Sequence, residues 1–274
     1  MIVVTGANGR LGRAVVGQLL SRIPADRVRV SVRDPAAAAP LADRGVDVRR
    51  ADFDEPETLR DAFAGAEQVL IVSANAVGDV ALRRHRAAIE AARAADAQRI
   101  VYTSHMGADP DSPFAPMASH AASEALLAQS GVPFTALRNG FYASTVPMLV
   151  AQARETGTLI APADGPVSWT THVDLAEAAA IVLAEPGRFD GPTPALTAGA
   201  AFDLADVADL LSVKRVVVTD EEHRAALEAA GVPPQRADIL VGMFQASRRG
   251  AFAAIDPTLR RLLGRTPQTV ADVL

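Results

Sequence analysis

Hydrophobic and polar positions along the first half of the chain follow two alternating rhythms. Short apolar, largely β-branched runs at residues 2–5, 28–32, 46–49, 69–72, 99–103 and 133–137 predict strands. Between them lie segments whose apolar residues recur at helical spacing, as Leu11, Val15 and Leu19 do. These predict helices at 11–21, 56–63, 78–95 and 119–130, and a further one opened by Asp34-Pro35, with Asp34 as cap and proline in the first turn. Strands alternating with helices make a parallel sheet covered on both faces. The unbroken apolar run Val69-Leu70-Ile71-Val72 suits a strand buried on both sides. After residue 139 the rhythm loosens. Helices are expected at 146–156, 173–184, 204–211, 220–230, 234–247 and 257–263, with short strands at 195–197 and 215–219.

The first strand runs straight into Thr5-Gly6-Ala7-Asn8-Gly9-Arg10-Leu11-Gly12, and a helix follows. In a strand–loop–helix setting such glycines have separate duties. Gly6 permits the tight turn. Gly9 lets backbone approach a pyrophosphate. Gly12 lets the helix pack closely, its N-terminus facing the phosphates. The expected fold is therefore α/β, a Rossmann-type doubly wound parallel sheet with a smaller C-terminal α/β lobe. Residues 1–138, rejoined by 170–198, would form the dinucleotide domain; 139–169 and 199–274 would form the substrate-side lobe.

The end of the second strand selects the cofactor. A carboxylate there suits the ribose 2′-hydroxyl of NAD, and an arginine suits the 2′-phosphate of NADP. The strand ends Ser31-Val32-Arg33-Asp34-Pro35. Asp34 has a competing task as helix cap, so Arg33, helped by Arg10, points to NADP(H). Asp52 and Phe53 would border the adenine. Ser73, Ala74 and Asn75 end the fourth strand, and Thr103, Ser104 and His105 the fifth. Loops at these ends line the crevice of such a sheet. The expected cofactor set is Gly6, Asn8, Gly9, Arg10, Leu11, Gly12, Arg33, Asp52, Phe53, Ser73, Ala74, Asn75, Thr103, Ser104 and His105.

Composition removes whole classes of chemistry. The 274 residues carry 27 basic and 32 acidic side chains, a formal charge of −5. The arginine groups at 83–86, 248–249 and 260–261 read as solvated helix faces, so nucleic acid is not expected as a partner. Without cysteine there is no thiolate nucleophile, disulfide or cysteine-ligated metal. Lys214, the sole lysine, lies far from the glycine loop and excludes a P-loop NTPase. No histidine–carboxylate spacing suggests a metal site. No run approaches the ~18 apolar residues of a membrane span. The start of the chain lacks the pattern of a secretory leader, so a cytoplasmic protein is expected.

The stretches Thr5–Gly12, Ser31–Pro35, 51–56, Tyr102-Thr103-Ser104, Leu137-Arg138-Asn139-Gly140-Phe141-Tyr142 and Leu263-Gly264-Arg265-Thr266-Pro267 resemble the NmrA-like atypical short-chain dehydrogenase/reductases. They are most similar to their bacterial NAD(P)H:quinone oxidoreductase type 2 branch. The resemblance spans essentially the whole chain. It implies a Rossmann domain, NADPH preference and reduction of quinone-like acceptors. The same group also contains redox sensors that bind NADP without turnover.

Alcohol-oxidising short-chain dehydrogenases use Tyr-x-x-x-Lys, where lysine lowers the tyrosine pKa. Here Met106 follows Tyr102 at that spacing, and Val146 follows Tyr142. A reductase or isomerase of the isoflavone-reductase kind would need a lysine near the nicotinamide, and none is placed there. Where the dyad helix should begin stand His120 and Glu124. His120 is either a substituted proton donor or a histidine near a helix N-terminus supported by Glu124 at i,i+4. A quinone needs little acid–base help, because its reduction recovers aromaticity and water can supply protons. Holding the acceptor ~3–3.5 Å from the nicotinamide does most of the work. The substrate side is expected from the long loop 104–118, from Asn139 through Tyr142, and from Trp169 and His172. Phe141 and Tyr142 would either stack on a quinone or pack between the lobes. Asn139, Tyr142 and His120 are the candidate catalytic residues; His85 and His223, in charged helices, are assigned no role. Two functions remain open, an NADPH-dependent quinone reductase and a non-catalytic NADP(H) sensor. A homodimer is compatible with either.

Overall fold

The valine- and isoleucine-rich runs pair side by side, and those at 2–5 and 68–71 are buried at every residue. A computed structural model describes residues 1–274. In chain order the elements are β1 (Ile2–Thr5), α1 (Arg10–Leu19), β2 (Val28–Val32), α2 (Ala39–Ala42), β3 (Asp47–Arg50), α3 (Pro56–Phe63), β4 (Gln68–Ile71), α4 (Gly78–Ala94), β5 (Arg99–His105), α5 (Ala115–Gln129) and β6 (Phe134–Asn139). There follow α6 (Val146–Leu149), α7 (Ala151–Thr156), β7 (Thr158–Pro162), α8 (His172–Ala184), β8 (Gly191–Pro192), α9 (Leu204–Leu211), β9 (Lys214–Val218), α10 (Asp220–Ala229), α11 (Pro234–Arg248) and α12 (Thr258–Leu263).

Seven strands form one parallel sheet in the order β3-β2-β1-β4-β5-β6-β8. Ile2 pairs with Val28 on one side and Gln68 on the other, so the chain reverses direction across the sheet at β1. Crevices in such sheets open at that reversal, outside the carboxyl ends of the strands. α1, α8 and α12 pack over one face, around Val4, Val15, Leu19, Leu137 and Leu175. The other face buries Val3, Leu59, Phe63, Ile71, Tyr102 and Leu127. A third apolar cluster lies beyond the sheet's carboxyl edge, around Phe114, Phe141, Trp169, Phe244 and Phe252. No helix is long and apolar enough to cross a membrane.

Several elements depart from the sequence reading. β5 continues through Ser104 and His105, because pairing with β6 persists to His105–Asn139. α5 starts at Ala115 instead of residue 119, with Pro116 in its first turn, where the missing N–H costs nothing. The expected loop 104–118 is therefore shorter at both ends. The predicted helix at 146–156 is two short helices that meet at Val150. Residues 195–197 form no strand beyond a single bridge from Leu196 to Asn139. The strand β7 was not expected; it pairs with β9 from Thr158–Lys214 to Pro162–Val218. The helix expected after Asp34-Pro35 opens as a 3₁₀ turn, in which the Asp34 carboxylate accepts the Ala36 N–H at 3.0 Å.

Candidate functional site

The turn of the glycine loop is held by backbone hydrogen bonds. Gly6 has φ +63° and donates to Ser31 at 3.1 Å; Gly9 donates back to Gly6 at 2.9 Å. At Gly12 a β-carbon would lie 2.8 Å from the Gly6 carbonyl carbon and closer still to its oxygen. That cradle admits no side chain. Gly9 caps α1 without offering a side-chain acceptor, so the first N–H groups of the helix remain available to an anion. Asn8, Gly9, Arg10, Arg13 and Ala14 line an open cleft there. Arg13, one turn beyond Gly9, escaped the sequence reading; its position on the same helix face as Arg10 was the available signal. Leu11 contributes only backbone to this cleft, because its side chain is buried in the core.

Asn8 ties the loop to the end of β2, its side-chain amide donating to the Asp34 carbonyl at 2.8 Å. Arg33, next to that anchor, is exposed and enters no ion pair, whereas Asp34 is engaged as a cap. The Asp52 carboxylate turns back on the Asp54 N–H at 3.0 Å, and Phe53 is half-buried against the sheet.

The strand-end loops are knit together. Thr5 accepts the Val72 N–H at 2.9 Å, and Thr103 accepts the Ser73 N–H at 2.8 Å while donating to the Ser73 hydroxyl. The Ala74 N–H donates to His85 Nε2 at 2.9 Å. Asn75 is exposed. His85, to which the sequence assigned no role, is thus a buried brace, only 2% exposed. It lies on the buried stripe of α4 with Ala81, Ala88, Ile89 and Ala92, and that helical spacing was its signal. A backbone donor on Nε2 puts its proton on Nδ1, which meets Ser123 Oγ at 2.8 Å.

Burial, then the nearby Arg84 charge, pushes His85 down to about 4. Unfolded histidine titrates near 6.5, so the folded form loses stability as the pH falls from there toward 4. His85 alone contributes a slope of about 1.4 kcal/mol per pH unit in that window. Urea unfolding at several pH values between 7 and 5 should show this decline. His105, His120 and His172 are pushed down by burial in the same way and add to the decline, so His85→Gln, which keeps an acceptor without a titration, should reduce the slope by about 1.4 kcal/mol per pH unit; an unchanged slope would refute the assignment.

Two expectations around α5 are corrected. Ser104 does not face the cofactor crevice with a free hydroxyl: it is 3% exposed and donates to Glu124 at 2.6 Å. Nor does Glu124 support His120. Its carboxylate is buried and takes both Arg138 Nε, at 3.0 Å, and an Arg138 terminal nitrogen, at 2.7 Å. The early start of α5 places His120 in its second turn, with Nδ1 2.9 Å from the Tyr102 hydroxyl.

His105 was grouped with the cofactor. Its ring instead lies among Phe114, Phe141 and Phe252, with centroids 5.6–6.3 Å away, and 6.0 Å from His120. Asn139 stands beside it across the β5–β6 pairing, 2% exposed, with Oδ1 unpartnered. Phe141 is 7% exposed and packs on Trp169 and Phe252, so it serves the core. Tyr142 is half-buried, its ring centroid 4.3 Å from that of His172. Burial, then Arg10, pushes His172 down to about 4, and burial raises the Tyr142 phenol. Asp174, in the first turn of α8, is fully buried and pairs with Arg265 at 2.7 Å.

The arrangement has an open cleft at the start of α1, an unpaired arginine near it, and a cluster of aromatic rings with two buried histidines at the carboxyl end of β5. A NAD(P)H-binding family model matches residues 6–186. Quinone oxidoreductase 2 of Escherichia coli is 36% identical over 99% of this chain and 96% of its own length. A crystal structure of an NADPH-dependent quinone oxidoreductase from the same organism, complexed with NADPH, superposes with TM-score 0.94 at 34% identity, covering 100% of this chain and 98% of that one. The Citrobacter triphenylmethane reductase, complexed with NADP(H), gives TM-score 0.91 at 32% identity, with 100% of both chains covered.

Proposed function

The chain belongs to the NAD(P)H-binding family, and from that premise we propose that it is an NADPH-dependent oxidoreductase that reduces quinones or similar small conjugated carbonyls. The observation that carries the reading is the crevice itself. It has the uncapped start of α1 beside the unpaired Arg33; at the carboxyl ends of β5 and β6 it has His105 among the rings of Phe114, Phe141 and Phe252. The glycine cradle fits a dinucleotide, because no β-carbon is tolerated at Gly12. NADPH, when bound, supplies the hydride. The N–H groups from Asn8 to Gly12 would hold its pyrophosphate, and Arg33 and Arg10 its 2′-phosphate. Asp52 and Phe53 would border the adenine, and the Ser73–Asn75 backbone with Thr103 would line the ribose path. Asn139 and Tyr142 would orient the acceptor.

Residues 1–138 with 170–198 would form the cofactor domain, and 139–169 with 199–274 the lobe that closes the acceptor pocket. Most of the apolar cluster around Phe141, Phe244 and Phe252 comes from that lobe, with Met106, Phe114 and Met117 added from the cofactor domain, while α12 packs on α8 of the cofactor domain. The chemistry matches the protonation states. Burial pushes His105 to about 4 and His120 to about 3, so both are neutral at pH 7. Neutral imidazoles cannot serve as strong acids. A quinone does not require one, since water can protonate the product. The Escherichia coli relative named quinone oxidoreductase, similar in sequence and in structure, supports the same acceptor class.

The test is oxidation of NADPH by a panel of benzoquinones, followed at the nicotinamide absorbance band. Arg33→Ala should raise the NADPH dissociation constant by about 10- to 100-fold, the value of a charge-assisted contact, and leave NADH binding nearly unchanged. NADPH binding without turnover on any quinone would sink the enzyme reading in favour of a sensor. Equal effects on both nucleotides would sink the phosphate assignment.

A further inference from the structure

We infer that Tyr102 is a positioning residue whose buried hydroxyl holds His120 in the tautomer that presents Nε2–H to the acceptor oxygen. This rests on the proposed quinone reduction. Tyr102 lies in the middle of β5, fully buried, and its ring meets His85 edge-on at 5.3 Å. His120 Nδ1 lies 2.9 Å from its hydroxyl. The surrounding donors are already spent. Ser123 donates its proton to the Ser119 carbonyl at 2.7 Å and faces His85 Nδ1 at 2.8 Å. His85, fixed by the Ala74 N–H, offers Tyr102 no acceptor nitrogen. Ser123 Oγ also reaches the phenol, but it already takes the His85 Nδ1–H, which leaves His120 Nδ1 the freer acceptor; a phenol donating there puts the proton of a neutral imidazole on Nε2.

His120 Nε2 has no partner within the protein, yet it is not among the atoms sealed from solvent. The ring stands 6.0 Å from His105, which packs among Phe114, Phe141 and Phe252 and pairs through its strand with Asn139. A donor at this place meets the oxygen on which negative charge grows. The acceptor gains a hydride, its carbonyl π pair moves to oxygen, and a hydroquinone monoanion results. Water delivers the one proton the monoanion still needs and is left as hydroxide. His120 donates a hydrogen bond throughout and gives up no proton. Burial pushes the Tyr102 phenol up and His120 down, so both keep the protonation this geometry needs.

Imidazole ¹⁵N shifts of His120 at pH 7 provide a readout independent of turnover. They should show a single Nε2–H tautomer in the wild-type protein and a mixture in Tyr102→Phe. With a benzoquinone, Tyr102→Phe should lower kcat about tenfold, the value of one neutral hydrogen bond, without changing NADPH affinity. His120→Gln keeps an N–H donor near Nε2 that needs no tautomer. It should retain most of kcat, and adding Tyr102→Phe to it should lower kcat no further. Equal losses from Tyr102→Phe in both backgrounds, or an Nδ1–H tautomer in the wild type, would overturn the inference. Should Tyr102→Phe fail to fold, the wild-type tautomer and a lower kcat in His120→Phe than in His120→Gln decide it.

If the wild type reduces no quinone, the proposed function falls by itself. The affinity of the NADP⁺ complex for 4-nitrophenolate, a stable phenoxide, then reads the donor directly. It should weaken in both Tyr102→Phe and His120→Phe, and unchanged affinity in both would remove the donor role.

Discussion

Arg265→Ala lowers the free energy of unfolding by about 3 kcal/mol, the low end for stranding one member of a buried ion pair because Arg265 is itself partly exposed. The partner left behind is Asp174, at 0% exposure in the first turn of α8. Its carboxylate also accepts from the Gln268 N–H at 2.7 Å and the Thr171 hydroxyl at 2.9 Å, but those groups are neutral and cannot balance its charge. Arg265 further pairs with Glu177 at 2.6 Å, one turn along the same helix. The arginine thus clamps the C-terminal segment onto α8, which packs against α1 behind the glycine loop. Urea denaturation measures the loss. In an Asp174→Asn background, where no charge is stranded, the same substitution should cost much less. Equal losses in both backgrounds would refute the clamp.

Gly12→Ala weakens NADPH by roughly 30- to 100-fold, about 2–3 kcal/mol, the range of forced overpacking. The new methyl would meet the backbone of Gly6 and Ala7, which has no flexible end to swing aside. Either α1 moves off the loop or the loop loses its turn, and both misdirect the N–H groups of the helix start. Calorimetric titration with NADPH gives the number. Gly17 in the same helix meets nothing within 4 Å, so Gly17→Ala is the control and should bind normally. Comparable binding by the two variants would show that the close approach at Gly12 is not needed.

These two predictions differ in how far the sequence foretold them. The Gly12 contact was legible because strand, loop and helix start all lie within the first twelve residues, where local spacing sets the geometry. The same holds for Arg33, whose place one step past β2 follows from the strand pattern. The Arg265–Asp174 clamp was not legible. Its two ends are far apart in the chain, and Asp174 alone reads as an ordinary helix-start acid. Glu124 misled in a similar way. Its i,i+4 spacing from His120 suggested a pair along the helix, but Arg138 on the adjacent strand offers a full charge and two donors, a stronger partner than a histidine that burial keeps neutral.

The stripe of small residues around His85 was available in the sequence and was outweighed by its arginine neighbours. Those arginines belong to the solvated side of α4. β7 had no such signal, because a five-residue strand is specified by its partner, and β9 lies more than fifty residues away.

The strand–helix alternation of the first 139 residues, the glycine cradle, the lack of a lysine dyad and the position of Arg33 just past β2 can all be read from local patterns, since each depends on residues that are neighbours in the chain. The grouping of His85, Tyr102, His120 and His105, the commitment of Ser104 to Glu124, and the burial of Asp174 arise only on folding. They depend on which side chains from distant segments share a space closed to water, where an unpaired polar group is too costly to leave unmatched.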